Sequence, residues 1–146
     1  MTADPSALKG GVERALNQLR VLFGDENVHF RADGVGGAFV VVLGVRLNDQ
    51  YEQPSTWIGF QILHNCPFPD TYPHYVRADL RLTNGGQPNG PISGPTAWEG
   101  LVGDLGRVIG SVEALQISRR SNRKSDDDVE TPFEKLMKVI QWLNTR

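Results

Sequence analysis

The chain has one cysteine, no long apolar run and little net charge, and each of these shortages excludes a class of protein. Its 146 residues carry a formal net charge of −2, so overall charge draws the protein neither to nucleic acid nor to a membrane surface. One cysteine excludes an internal disulfide framework and fits a reducing compartment. No apolar run approaches the roughly 20 residues of a membrane-spanning helix, and no signal-peptide pattern is present. We expect a single cytoplasmic domain over residues 1–146, with no membrane contact.

Apolar residues recur at helical spacing near the start of the chain. Asp4 followed by Pro5 predicts a helix start, with an N-cap acceptor and proline at the first helical position. The pair Gly10 and Gly11 weakens this start, so the helix can begin as late as Gly11. Gly24 predicts its end.

The sharpest local pattern precedes a second helix near the end of the chain. Thr131 is a good N-cap, Pro132 suits the first helical position, and Glu134 completes a capping box. An apolar face continues to Leu143. We therefore predict a helix over residues 132–143.

Between these helices, four segments have the composition and alternation of β-strands. They cover residues 27–32, 39–47, 57–63 and 76–82. Short connections favour an antiparallel meander. Helices at both ends of such a run predict an α+β fold, in which an N-terminal helix and a C-terminal helix cover one face of a four-stranded sheet.

Residues 57–82 are expected to organise the rest of the chain as strand, stiff turn and strand. Three prolines in the turn, Pro67, Pro69 and Pro73, restrict the backbone. The turn therefore holds four reactive or polar side chains in set positions, which are Cys66, Asp70, Tyr72 and His74.

The character of the sequence changes after this stretch. Residues 83–95 contain four glycines and three prolines, a composition that excludes a helix or a central strand. We predict a long functional or mobile loop there. A short helix around residues 97–105 follows, and then a short strand or extended segment at residues 114–117.

The order of these elements resembles the ubiquitin-conjugating enzyme (UBC) fold. In that family, a Tyr-Pro turn joins the third and fourth strands of a meander, and residues 68–73 end in Tyr72 and Pro73 at this place. Residues 117–122, ahead of a helix that ends in residues 142–143, resemble divergent bacterial members. The resemblance covers most of the chain as an order of elements.

The chain departs from the family at its catalytic position. The family's cysteine nucleophile follows the fourth strand, where this chain has Ser93 in residues 90–93, and residues 87–89 read Gln-Pro-Asn where His-Pro-Asn is usual. A serine hydroxyl is a poor nucleophile without a base, and no histidine follows His74. The resemblance therefore implies a member that lacks the usual catalytic residue.

Cys66 is the remaining candidate nucleophile, and a metal site is the alternative. A catalytic thiol needs a lowered pKa, which His64 or His74 could provide; otherwise Cys66 is a half-buried structural cysteine. Together with Asp70, these residues could gather around zinc, but their spacing matches no usual zinc pattern and also suits a solvated turn. We expect no cofactor.

A basic cluster follows residue 118 and offers a possible docking surface. It consists of Arg119, Arg120, Arg123 and Lys124, and residues 126–128 are all aspartate. Without interleaved aromatic residues, the cluster gives little support to nucleic-acid binding. It is either a solvated loop or a docking patch for an acidic partner. The predicted binding residues are Tyr72, Pro73, Arg119 and Arg120.

Two functions follow from the resemblance. The first is a non-catalytic UBC-like module that binds a ubiquitin-like protein or an activating enzyme in a bacterial ubiquitin-like modification system. The second is an active conjugating enzyme, which would carry the ubiquitin-like protein on Cys66 as a thioester. A nucleic-acid binder that uses the basic cluster ranks last.

Overall fold

The computed structural model describes residues 7–88, 90–120 and 129–145, and these form an α+β fold. The helices of the described chain are α1 (Gly10–Phe23), α2 (Asp104–Ile109) and α3 (Pro132–Leu143). The strands are β1 (Val28–Ala32), β2 (Ala38–Arg46), β3 (Ser55–Ile62), β4 (His74–Arg77), β5 (Ile92–Ala97) and β6 (Glu113–Ile117). They form one six-stranded sheet in the order β1-β2-β3-β4-β6-β5, and all neighbours are antiparallel.

The prediction of a four-stranded sheet is wrong, although its first four strands run as a meander in the expected order. Strand β6 returns beside β4, with Ile117 opposite His74, and β5 adds the outer edge. Strand β5 lies partly inside the predicted loop 83–95. It tolerates Pro95 because a register shift interrupts its pairing between Ser93 and Thr96, and because an edge strand needs partners on one side only.

The fourth strand is shorter than the predicted 76–82 and begins earlier, directly after Pro73. It ends at Arg77, where the guanidinium binds Asp79 across a turn, with 2.6 Å between Nε and Oδ1. Leu80 is nevertheless only 1% exposed. The alternation of apolar and charged residues over 76–82 thus predicted the burial of Leu80 correctly, although the strand pairing ends at Arg77.

Both faces of the sheet are covered, which corrects the expectation of helices on one face only. Helices α1 and α3 pack on the face that contains Ile58, Phe60 and Ile62 of β3, as the alternation in that strand predicted. The opposite face carries Trp57 and is covered by residues 98–109. This second layer consists of a 3-10 turn, Glu99–Leu101, followed by α2.

The helix boundaries follow from local chemistry. Helix α1 begins at Gly10, and Asp4 and Pro5 lie outside the described residues. It ends as predicted at Gly24, which has a φ of 93° and donates its N–H to the Arg20 carbonyl. None of the described helices combines the length and apolar content that crossing a membrane requires.

The capping box of α3 is confirmed. The Thr131 hydroxyl oxygen accepts from the Glu134 N–H at 3.1 Å, and the Thr131 N–H donates to Glu134 Oε1 at 3.1 Å. Helix α2 begins later than the predicted 97–105, because Gly103, with a φ of 86°, separates it from the preceding turn.

Candidate functional site

Trp98 is the centre of an aromatic cluster on the face of the sheet opposite α1 and α3. Its ring stacks on Tyr75, with centroids 4.4 Å apart and 15° between the planes, and lies parallel to Trp57 at 6.4 Å. Phe39 meets it edge-on at 6.1 Å. Contacts of this kind add to the free energy of simple apolar burial, so the cluster fixes the indole firmly.

Two glycines leave the space that the Trp98 ring occupies. A Cβ atom added at Gly59 of β3 would stand 2.7 Å from Cη2 of Trp98, and one added at Gly100 would stand 2.7 Å from Cε2. Both distances are shorter than real Cβ contacts. Glycine weakens a strand interior and often marks a close approach, and here the approach is that of the indole.

A cleft of about 320 Å³ opens to solvent beside this stack, and we call it the aromatic cleft. Its lining includes Gln61, Tyr72, Pro73, Tyr75, Trp98 and Glu99. It therefore combines three aromatic rings with a carboxylate and an amide. Tyr72 and Pro73 both line it, and the structure thus brings these two predicted binding residues to one site.

The two predicted arginines lie on opposite sides of the sheet. The guanidinium carbon of Arg120 is 4.3 Å from the centroid of the Tyr72 ring, at the aromatic cleft. That of Arg119 lies 4.8 Å from the ring of Trp142, on α3. Consecutive residues of an extended segment point to opposite faces, so only Arg120 joins the site. Arg123 and Lys124 lie outside the described residues.

The charges around the cleft are not balanced by pairing. Burial, the Glu99 carboxylate and Tyr72 together raise the pKa of Tyr75, so its phenol stays protonated at neutral pH. Within the described residues, no hydrogen bond or ion pair engages the Glu99 carboxylate, which is exposed. Gln61 donates its amide N–H to Asp33 Oδ2 at 3.1 Å, which fixes that side chain. The cleft therefore presents π faces and an unpaired negative charge.

Cys66 lies elsewhere, in a smaller cleft of about 240 Å³ between α1 and the start of α3. The side chain is half-buried, and burial raises the pKa of its thiol, whereas the nearby Arg14 lowers it by less. A nucleophilic cysteine needs a lowered pKa. The balance at Cys66 therefore favours the neutral thiol.

The other candidate zinc ligands, His64, Asp70 and His74, lie in different surroundings. His74 is fully buried, with its ring 5.3 Å from that of Phe60, and burial lowers its pKa to about 3. His64 is exposed, and Asp70 accepts from Lys135 Nζ at 3.0 Å. Within residues 7–88, 90–120 and 129–145, no three His, Cys, Asp or Glu side chains are grouped so that they could hold a metal ion.

Ser93, the residue that the resemblance would place at the family's cysteine position, lies exposed on β5. Its cross-strand neighbour is Gln116, and the next residue in that row is Tyr75. Neither side chain is a base at neutral pH, so these neighbours do not activate the hydroxyl.

Sequence reasoning missed several residues of these sites. Tyr75, Trp98 and Glu99 were not predicted as site residues. A glycine within an apolar strand, Gly59, was the available sign that another group approaches closely. Lys135 of α3 was also missed. It is only 3% exposed and pairs with Asp70.

No protein-family model, no curated protein and no solved structure matches this chain. The resemblance to the UBC fold therefore stays a hypothesis, which rests on residues 68–73 and on the order of the elements. The functional argument depends on the chemistry of the sites themselves.

Proposed function

We propose that this protein is a non-catalytic UBC-like binding module of a bacterial ubiquitin-like modification system. It works in the cytoplasm and binds a ubiquitin-like protein or an activating enzyme without forming a covalent bond to it. One observation carries the proposal, namely the contrast between the two candidate sites. The aromatic cleft gathers three aromatic rings, a carboxylate and an amide, whereas burial raises the pKa of the only thiol, Cys66.

The composition of the aromatic cleft supports a role in protein binding. Tyrosine, tryptophan and arginine dominate the residues that contribute most to the affinity of protein interfaces. Tyr72 and Trp98 line the cleft, and Arg120 stacks on the Tyr72 ring; Trp98 itself is only 6% exposed. The stack on Tyr75 holds Trp98 in place before any partner arrives, so little conformational entropy is lost on binding.

The surroundings of the two candidate nucleophiles, the Cys66 thiol and the Ser93 hydroxyl, support the absence of covalent catalysis. Transfer of a ubiquitin-like protein through a thioester requires a thiolate, and burial disfavours the thiolate of Cys66. Ser93 has Gln116 and Tyr75 as the neighbours in its row, and neither can take its proton.

The test is a titration of the ¹⁵N-labelled protein with a bacterial ubiquitin-like protein and, separately, with an activating enzyme. We expect the Trp98 indole signal to shift on binding, and Tyr72→Ala to weaken the affinity about tenfold or more, as for an interface hot spot. Val35→Ala serves as the control, because Val35 is 69% exposed and does not line the cleft, and it should leave the affinity unchanged. Equal affinity for wild type and Tyr72→Ala would contradict the proposal.

An active conjugating enzyme is the second candidate, and the position of Arg14 favours it. The Arg14 charge acts on the Cys66 thiol in the direction that a nucleophile needs. The Cys66 thiolate would attack the thioester on the activating enzyme, form a new thioester, and release the enzyme's cysteine as a thiolate. Incubation with activating enzyme, ATP and a ubiquitin-like protein would then give an adduct on a non-reducing gel. A reducible adduct that disappears in Cys66→Ala would replace the first proposal with this one.

A further inference from the structure

We propose that the aromatic cleft recognises an arginine side chain of the partner protein, and that Arg120 of the chain itself competes for the same aromatic surface. The inference rests on the proposed function, because it takes the cleft to be the binding site. It goes further in naming the chemical group that is bound and the residue that regulates access to it.

The cleft attracts cations in two ways. The faces of aromatic rings attract a positive charge, and Tyr72, Tyr75 and Trp98 all line the cleft. Glu99 adds a carboxylate that has no partner within the described residues. A cation that enters the cleft can therefore meet π faces and an unpaired negative charge together.

Arg120 shows that a guanidinium stacks on one of the rings that line the cleft. It lies 4.3 Å from the centroid of the Tyr72 ring. Its side chain is exposed and makes no hydrogen bond or ion pair with any other part of the chain that is described. A single exposed cation–π contact is weak, so a partner that also reaches Glu99 can displace Arg120.

Arg31 lies nearby but is held in place by other contacts. Its guanidinium carbon is 4.6 Å from the Phe39 ring, and it donates to the main-chain carbonyl of Glu99 at 2.9 Å. Arg31 thus has two contacts that hold it, whereas Arg120 has only its contact with the Tyr72 ring among the described residues. Arg120 is therefore the cation that moves.

Arginine suits the cleft better than lysine does. A guanidinium is flat and weakly hydrated, and it can stack on a ring while it donates two parallel hydrogen bonds to a carboxylate. An ammonium group is compact and strongly hydrated. The cleft lining contains both groups that such a guanidinium would use, the Tyr72 ring and the Glu99 carboxylate.

The experiment uses the pentapeptide Ac-Ala-Ala-Arg-Ala-Ala-NH₂ as the probe, and follows the Trp98 indole signal of the full chain by NMR. We expect Glu99→Gln to weaken binding about threefold to tenfold, because the charge is lost while the shape is kept. Arg120→Ala should strengthen binding about twofold to fivefold, because the competing guanidinium is removed.

Two matched substitutions serve as controls. Glu52→Gln removes an exposed carboxylate that does not line the cleft, and Arg119→Ala removes the neighbouring arginine, which lies on Trp142 instead. Neither should change the affinity for the peptide. A peptide with citrulline in place of arginine has the same shape without the charge, and it should bind at least about tenfold more weakly.

Several results would overturn the inference. Citrulline or lysine peptides that bind as tightly as the arginine peptide, or a glutamate peptide that binds more tightly, would show that a guanidinium is not the ligand. Weaker binding in Arg120→Ala would show that Arg120 assists rather than competes. A ubiquitin-like protein that still binds at Trp98, while the arginine peptide fails, would reject this inference and leave the proposed function intact.

Discussion

Replacing Gly59 by alanine is expected to destabilise the protein by about 2–3 kcal/mol, because overpacking forces a well-fitted neighbour to move. The added Cβ would stand 2.7 Å from Cη2 of Trp98 and 3.1 Å from Cζ3 of Trp57. The indole also packs closely on Gly100, where an added Cβ would stand 2.7 Å from Cε2, so it has little room to retreat. Trp98 should therefore leave its slot and lose its stack on Tyr75.

Urea unfolding, followed by tryptophan fluorescence, measures this loss of stability. The folded Gly59→Ala protein should also show red-shifted emission, because Trp98 becomes hydrated. Gly10→Ala is the control, since a Cβ at Gly10 meets only the flexible end of Arg14, at 3.3 Å. Equal stabilities for wild type and Gly59→Ala would show that Trp98 does not fill the position described.

Lowering the pH from 8 to 5 is expected to cost the protein about 2 kcal/mol of stability through His74 alone. Its pKa is lowered from 6.5 to about 3 in the folded protein, first by burial and then by the charge of Lys135, while Asp70 acts in the opposite direction. Below pH 6.5 the unfolded chain therefore binds a proton that the folded chain excludes. Stability from this residue is complete above pH 6.5 and falls as the pH decreases.

The measurement compares the pH dependence of unfolding in wild type and in His74→Leu. Neither ring nitrogen of His74 finds a hydrogen-bond partner within the described residues. At pH 8 the leucine variant should therefore be at least as stable as wild type, because an apolar group replaces an unsatisfied polar one. Between pH 8 and pH 5 the advantage of the leucine variant over wild type, in free energy of unfolding, should grow by about 2 kcal/mol. Parallel curves at all pH values would contradict the buried, neutral state of His74.

The elements that sequence reasoning located correctly are those with strong local patterns. The capping residues of α3 and the apolar periodicity behind them act over a few residues, and they placed the helix to the residue. Strands β1 to β3 have β-branched or alternating sequences joined by short turns, so their order follows from adjacency in the chain.

What it missed, the strand β5 and the pairing of β6, depends on contacts between distant segments, although residues 114–117 were expected to be a short strand or extended segment. Nothing in residues 113–117 alone indicates that they pair with β4, about 40 residues earlier. The edge strand β5 contains Gly94 and Pro95, whose composition favours a loop. Pairing with β6 overrides this local preference. With β5 and β6, the sheet has six strands instead of the predicted four.

The aromatic cleft was predictable only in part for the same reason. Tyr72 and Pro73 belong to one local turn and were found through the resemblance. Trp98 and Glu99 belong to the turn that follows β5, which is distant from Tyr72 in the sequence. The split between Arg119 and Arg120 could have been anticipated, since neighbours in an extended segment point to opposite faces.

The rate of alkylation of Cys66 by iodoacetamide, measured against pH, tests most directly whether this chain binds its partner or carries it covalently. The urea-denatured protein provides the reference, with a thiol pKa of about 8.5. We expect the pH midpoint of the alkylation rate to lie above that reference in the folded protein, because burial disfavours the thiolate of Cys66. A folded midpoint below the reference, and above all one near pH 7 or lower, would identify Cys66 as an activated nucleophile and contradict the account.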